Sequence, residues 1–184
     1  MKSIKPILLN KKNIFSFLVA IIIVFVLIYL NERNMKDNKD IEENIGPYLN
    51  KYAPNFETEY INGSEFVLNE LRGTPIILNF WATWCPPCVR EMPLLQKYYV
   101  EHKDQLILIG VNLGEDKETI EKFINRVNVT FPIVLDKNKK IEKSYNIILK
   151  PSTYFIDENG VAVDKKLGEL TGEDLTTRSQ KLLK

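Results

Sequence analysis

Residues 75–88 read Pro-Ile-Ile-Leu-Asn-Phe-Trp-Ala-Thr-Trp-Cys-Pro-Pro-Cys, and they hold the only two cysteines of the 184-residue chain. The first half, Pro75–Trp81, is too apolar for a strand with one solvated face, so it predicts a buried central strand. A helix is predicted from Pro86 to about His102, because prolines are tolerated in the first turn of a helix. The two cysteines therefore lie where a buried strand gives way to a helix.

The spacing of Cys85 and Cys88 predicts a redox site. At the start of a helix, the Cys85 sulfur lies among unpaired backbone N–H groups and the positive end of the helix dipole. This environment favours the thiolate, which is the attacking species, and Cys88 is close enough to close a disulfide one turn later. A zinc site needs about four ligands, whereas the chain offers this pair and a single histidine, His102. A purely structural disulfide would close too short a loop to stabilise the fold much.

An uncharged apolar run at residues 14–30 predicts a transmembrane helix, since its length approaches the ~17–25 residues needed to cross a bilayer. The lysines before it predict that residues 1–13 stay in the cytoplasm. Residues 31–34 lack the small-x-small pattern of a signal-peptidase site, so an uncleaved signal-anchor is favoured over a cleaved signal peptide. Residues 31–50 are polar and predict a tether, which leads to an extracytoplasmic domain at residues 51–184.

Strands and helices alternate in the second part of the chain. Asn62-Gly63 lies between two short runs of β-type residues and predicts a hairpin at the start of the domain. Residues 106–112 and 152–156 predict further strands, and residues 161–167 predict a strand that returns after a turn. The sequence therefore predicts an α/β domain with a mixed sheet covered by helices on both faces and an N-terminal β-hairpin.

Four separated segments carry a resemblance to a known family. They are residues 80–93 (Phe-Trp-Ala-Thr-Trp-Cys-Pro-Pro-Cys-Val-Arg-Glu-Met-Pro), 110–115 (Gly-Val-Asn-Leu-Gly-Glu), 131–136 (Phe-Pro-Ile-Val-Leu-Asp) and 151–157 (Pro-Ser-Thr-Tyr-Phe-Ile-Asp). In this order they resemble the membrane-anchored TlpA/ResA-type thioredoxin-like proteins of the AhpC/TSA-redoxin superfamily. The resemblance covers residue 53 to the C-terminus. It implies a thioredoxin-like three-layer fold and protein thiol–disulfide oxidoreductase activity outside the cytoplasm.

The resemblance also implies roles for residues around the dithiol. Cys85 is the attacking, more exposed thiol, and Cys88 resolves the mixed disulfide. Pro151 is a cis-proline beside the pair that offers backbone to an extended substrate. The expected substrate contacts are Trp84, Pro86, Pro87, Lys150 and Pro151. Lys150 departs from the small or apolar residue usual in the family, and three interpretations are open: it stabilises the Cys85 thiolate, attracts an acidic substrate, or points to water.

Glu115 is the predicted acidic residue of the site. Thioredoxins carry a buried aspartate on the central strand, and this chain has Asn79 at the matching position. The resemblance implies that a glutamate in the Val-Asn-x-Gly-Glu loop, here Glu115, supplies the carboxylate instead and controls the dithiol as a proton acceptor. The alternative is that Glu115 opens the next helix together with Asp116, where acidic residues are favoured.

The implied reaction needs no cofactor other than the Cys85–Cys88 disulfide, and no metal. The implied substrate is a protein disulfide, with apocytochrome c as the candidate, and the implied electron donor is a CcdA-type transmembrane reductase. A net charge of +1 argues against a nucleic-acid partner. Four alternatives stay open: a related reductase acting in spore-envelope formation, a disulfide oxidase of the same fold, a peroxiredoxin and a copper-delivery module.

Overall fold

The computed structural model describes residues 19–33 and 49–182, and the chain divides into two units, Met1–Glu43 and Asn44–Lys184. In the first unit, helix α1 covers residues 19–33, and its apolar side chains are exposed. The predicted transmembrane segment, residues 14–30, begins outside the described residues. Within the described ranges, no helix combines the length and the apolar character needed to span a membrane.

Most of the other boundaries predicted near the N-terminus also fall outside the described residues. This holds for the predicted cytoplasmic residues 1–13 and for residues 34–48 of the predicted tether. The second unit is described from residue 49, and its first strand begins at Lys51, where the sequence predicts the folded domain to start.

The second unit is an α/β domain whose elements in chain order are β1 (Lys51–Tyr52), β2 (Glu57–Glu59), β3 (Glu65–Val67), a 3₁₀ turn (Leu68–Leu71), β4 (Ile76–Trp81), α2 (Pro86–His102), β5 (Ile107–Leu113), α3 (Lys117–Val127), β6 (Ile133–Asp136), α4 (Lys140–Ser144), β7 (Ser152–Ile156), β8 (Val161–Leu167) and α5 (Gly172–Ser179). It is built on a six-stranded mixed sheet with the strand order β1-β8-β7-β4-β5-β6. Strands β4, β5 and β6 run parallel, whereas β7 is antiparallel to β4 and β8. Strands β2 and β3 pair separately and form the predicted N-terminal hairpin.

Strand β4 separates two hydrophobic cores. Its side chains alternate, so Ile77 and Trp81 pack in the core that α2, α3 and α5 share. Leu78 and Phe80 pack in the other core, which contains the hairpin and Ile141 of α4. The crossovers β4–α2–β5 and β5–α3–β6 place both helices on one face, because such connections are right-handed. The sheet is therefore covered on both sides, as predicted.

Because Gly110 on β5 has no side chain, Trp81 and its neighbours in the larger core can pack closely against this strand. A β-carbon at Gly110 would lie 2.6 Å from Ile133 Cδ1, 2.9 Å from Trp81 Nε1 and 3.0 Å from Phe131 Cε2. Favourable carbon contacts lie at about 3.5–4 Å. Gly110→Ala is therefore expected to lower the free energy of unfolding by about 2 kcal/mol, as measured by urea unfolding of the oxidised protein.

The control for this substitution is Gly172→Ala in the first turn of α5. The nearest atom to a β-carbon there is Leu94 Cδ1 at 4.0 Å. This change is expected to leave stability equal or raise it by up to about 1 kcal/mol, because alanine favours the helix. Equal losses of unfolding free energy in Gly110→Ala and Gly172→Ala would contradict the packing argument for Gly110.

Candidate active site

The Cys85–Cys88 disulfide lies in the first turn of α2. Cys85 is the N-cap residue of this helix, and its sulfur accepts a hydrogen bond from the Cys88 N–H at 3.3 Å. Pro86 and Pro87 occupy the first two helical positions, where a proline removes no intrahelical hydrogen bond. The helix therefore begins at the cysteine pair, as the sequence predicts.

The two cysteines differ in their access to solvent. Cys88 is fully buried, whereas Cys85 is 4% exposed. Trp84 and Pro86, on either side of Cys85, are exposed, and Trp84 keeps 63% of its accessible surface. Pro87 is half-buried. Cys85, the thiol predicted to attack, is therefore the more accessible of the two cysteines.

Pro151 lies at the same end of the sheet as the disulfide. Strand β7 is antiparallel to β4, and Ser152 at its start pairs with Phe80 near the end of β4. The Lys150–Pro151 peptide bond is cis, as the resemblance implied. The Pro151 carbonyl accepts a hydrogen bond from the Gly168 N–H at 2.9 Å, which ties this bend to the end of β8.

Glu115 lies beside the loop that leads to Cys85. Its carboxylate accepts hydrogen bonds from the Thr83 main-chain N–H at 2.7 Å, from the Thr83 hydroxyl and from Asn112 Nδ2 at 2.7 Å. These contacts hold Thr83 against the end of β5. The residue that caps α3 is Asp116, so Glu115 itself precedes the cap. Control of the dithiol by Glu115 stays a prediction, whereas its contacts show a residue that holds the loop before the first cysteine.

Lys150 has a partner within the protein. Its Nζ lies 2.5 Å from Glu142 Oε1, and the two side chains are 18% and 16% exposed. The ammonium group is therefore neither free in water nor available as an unpaired charge for an acidic partner.

Trp81 and His102 each pack against another aromatic ring. Trp81 is buried as predicted, and its ring packs against Phe123. His102 is half-buried. The reason is that its ring stacks on Tyr98, with 4.0 Å between the ring centroids.

Glu91 is a carboxylate of the site that the sequence reasoning missed. It follows Cys88 by three residues, so the two side chains share one face of α2, and it is only 1% exposed. Its Oε1 accepts a hydrogen bond from Asn79 Nδ2 at 2.8 Å, and its Oε2 accepts one from the Leu170 N–H at 2.8 Å. Burial raises the pKa of Glu91 from 4.5 to about 7, although both hydrogen bonds act to lower it.

A signal for Glu91 was present in the helical periodicity. Cys88, Met92 and Leu95 form the buried stripe of α2, and position 91 belongs to the same stripe. An acidic residue on the inner face of a helix is rarely buried without a role or a partner. Its position next to the second cysteine makes it a candidate proton acceptor.

Asn79 connects Glu91 to the strand that follows the cis-proline. The same Nδ2 group donates a second hydrogen bond, to Thr153 Oγ1 at 2.9 Å. The side-chain oxygen of Asn79 is buried and has no hydrogen-bond partner among the described residues. The central strand thus contributes an amide donor, and the carboxylate that meets it comes from α2.

A C-x-x-C disulfide at the start of a helix, with a cis-proline at the same end of a mixed sheet, defines the class of thioredoxin-like thiol–disulfide oxidoreductases. Residues 49–165 match the family described as the AhpC/TSA family. The thiol-disulfide oxidoreductase ResA of Geobacillus kaustophilus (strain HTA426) is 41% identical over 124 residues, which cover 67% of this chain and 71% of that protein. The chain belongs to the AhpC/TSA family, and its activity is thiol–disulfide oxidoreduction.

Solved structures share the thioredoxin-like fold. The crystal structure of StoA from Bacillus subtilis superposes with a TM-score of 0.61 at 35% identity and covers 68% of this chain and 96% of its own. The thioredoxin domain of a thiol-disulfide oxidoreductase from Bacteroides vulgatus has a TM-score of 0.66 at 27% identity and covers 74% of this chain and 99% of its own. The predicted fold class of the second unit is confirmed.

Ionisation of Glu91 is expected to destabilise the oxidised protein as the pH rises. Its pKa is 4.5 as an ordinary carboxyl and about 7 when folded, so its stabilising contribution is complete below pH 4.5 and is lost as the pH rises through about 7. This difference corresponds to about 3 kcal/mol. Glu91→Gln is expected to remove that part of the pH dependence, as measured by urea unfolding at about pH 5 and about pH 8.

Glu118→Gln serves as the matched control, because Glu118 is an exposed glutamate on α3. It is expected to keep the pH dependence of the wild-type protein. If Glu91→Gln and Glu118→Gln both kept the pH dependence of the wild type, the buried Glu91 carboxyl would not be the source of the change in stability with pH.

Proposed function

We propose that this protein reduces disulfides of partner proteins outside the cytoplasm, with apocytochrome c as its substrate. The observation that carries the proposal is the buried carboxylate of Glu91, three residues after Cys88 on the same helix. An ionised carboxylate there disfavours a second negative charge on Cys88. A strong oxidant in this class has a stabilised reduced form. Because Glu91 disfavours the thiolate at Cys88, it works against stabilisation of the reduced form, and the dithiol gives up its electrons more readily.

The exchange begins at Cys85 in the reduced enzyme. The N-terminal end of α2 favours the thiolate at this position, through the helix dipole and the Cys88 N–H. The Cys85 thiolate attacks one sulfur of the partner disulfide. A mixed disulfide forms between Cys85 and the partner, and the second partner sulfur leaves as a thiolate.

Cys88 completes the exchange with the help of Glu91. The Cys88 thiol gives its proton to the Glu91 carboxylate and attacks the Cys85 sulfur, and the remaining partner sulfur leaves as a thiolate. The partner gains two electrons, and the proton held by Glu91 is released as the partner thiolates are protonated. A pKa of about 7 suits a group that both takes and returns a proton near neutral pH.

A membrane-bound donor would return the oxidised enzyme to the dithiol. The uncharged run at residues 14–30, the lysines before it and the exposed apolar side chains of α1 support a membrane anchor with residues 1–13 in the cytoplasm. The family resemblance suggests a CcdA-type transmembrane reductase, whose own dithiol would supply two electrons and two protons to the Cys85–Cys88 disulfide. Residues 51–184 would then lie on the outer side of the membrane.

Replacing Cys88 with alanine is expected to trap the partner protein on Cys85. Without the resolving thiol, the mixed disulfide persists, because no second sulfur can displace the partner. The full chain with Cys88→Ala is expressed in cells that make cytochrome c, and the disulfide-linked partner is identified by mass spectrometry. Apocytochrome c is the expected protein.

The control for trapping is Cys85→Ala, which leaves only the buried Cys88 and is expected to capture no partner. Recovery of spore-envelope proteins alone would favour the alternative reductase. Absence of any protein linked to Cys85 in the Cys88→Ala variant would contradict a polypeptide substrate.

A further inference from the structure

We infer that the ion pair between Lys150 and Glu142 positions the main chain of residue 150 for the partner polypeptide. The inference rests on the proposed function and deepens it, because it gives the ion pair a role in the reduction of polypeptide disulfides and none in the reduction of small disulfides. Lys150 directly precedes the cis bond to Pro151. Its main chain therefore lies at the end of the sheet where α2 presents Cys85.

Glu142 is a fixed anchor for this ion pair. The carboxylate of Asp136, at the end of β6, accepts hydrogen bonds from the Ile141 N–H at 3.1 Å and from the Glu142 N–H at 2.7 Å. The Glu142 carbonyl accepts a further bond from the Ile147 N–H at 2.9 Å. Asp136 and Ile141 are both buried, so α4 is held firmly against the sheet.

The segment of residues 148–150, between the buried Ile147 and the cis-proline, is packed much less firmly. Ile148 is 82% exposed, and Leu149 is also exposed, so neither apolar side chain secures the loop in a core. Two side-chain contacts restrain it instead: the Ser152 hydroxyl donates to the Leu149 carbonyl at 2.6 Å, and the Lys150 ammonium reaches Glu142 at 2.5 Å. The ion pair therefore joins the loop to the fixed anchor in α4.

The main chain of Lys150 is available to a partner. In the part of the chain that the structure describes, its N–H and C=O groups form no hydrogen bond to another residue. An extended polypeptide can pair with such groups in the manner of an added strand. The position of those groups depends on where the Lys150 side chain is held.

A small disulfide needs only the Cys85 sulfur, whereas a polypeptide also needs the main chain of residue 150. Loss of the ion pair is therefore expected to change the selectivity between the two substrates. Glu142 Oε2 is buried and has no partner among the described residues, so neutralising Lys150 alone would also leave a largely buried carboxylate uncompensated. The experiment therefore has to separate an effect on the position of the Lys150 main chain from the effect of an uncompensated charge on Glu142.

The experiment compares the reduction of a synthetic peptide that contains a Cys-x-x-Cys disulfide with that of hydroxyethyl disulfide. The full chain is used in detergent, with a chemical reductant to regenerate the dithiol. Lys150→Met is expected to lower the ratio of kcat/KM for the peptide to kcat/KM for the small disulfide about tenfold, mainly through a higher KM for the peptide. Lys150→Arg keeps the ion pair and is expected to hold this ratio within about twofold of the wild type.

The double variant Lys150→Met/Glu142→Leu distinguishes the two explanations. It leaves no uncompensated charge, so its urea stability is expected to stay close to that of the wild type, while the peptide selectivity stays low. Lys166→Met is the matched control, because the ion pair of Lys166 and Asp174 has a similar exposure of 26% and 14%. Its selectivity ratio is expected to equal that of the wild type.

Three results would overturn the inference. If Lys150→Met lowered kcat/KM equally for the peptide and for the small disulfide, the ion pair would act on the dithiol itself, and the proposed function would stand. Wild-type selectivity in the double variant would show that an uncompensated charge caused the defect. A wild-type enzyme that reduces neither substrate would overturn the proposed function as well.

Discussion

The buried carboxylate of Glu91 is held between the central strand and the helix that carries the two cysteines. Asn79 donates to it from β4, and the Leu170 N–H donates to it from the segment before α5. A buried carboxylate without donors would cost several kcal/mol, and two donors lower this cost without removing it. The pKa of Glu91 therefore stays at about 7. The dithiol is thus packed beside a group whose charge changes near neutral pH.

The charged residues at this end of the sheet divide into two roles. Cys88 is fully buried and Glu91 lies on the same face of the helix, so Glu91 is the proposed acceptor of the Cys88 proton. Two further carboxylates hold loops: Glu115 holds the loop before Cys85, and Glu142 holds the loop before the cis-proline through Lys150. In the proposed mechanism, Glu91 therefore takes part in the chemistry while the contacts of Glu115 and Glu142 hold the surrounding loops, and a substitution can change one without the other.

The strand, the helix start and the cysteine pair were predictable from residues 75–88, because they depend on local apolarity and spacing. The cis bond before Pro151 followed from the family resemblance and not from any local preference. Glu91 was missed because its partners Asn79 and Leu170 lie 12 and 79 residues away along the chain. The stripe of α2 indicates that position 91 is buried, but only tertiary packing brings these partners to it, and the partners cannot be deduced from spacing. The partner of Lys150, Glu142, lies only eight residues away. It was missed for a different reason, because the segment between α4 and the cis bond has no regular pattern from which a contact can be predicted.

The most direct measurement is a carbon-13 NMR titration of the glutamate carboxyl groups in the oxidised protein. Glu91→Gln assigns the Glu91 resonance, because that signal disappears in the variant. We predict that this carboxyl titrates at about 7, well above the exposed glutamates, because burial outweighs its two hydrogen bonds. A midpoint near 4.5 would show an ordinary carboxyl and would contradict the role of Glu91 as the proton acceptor for Cys88.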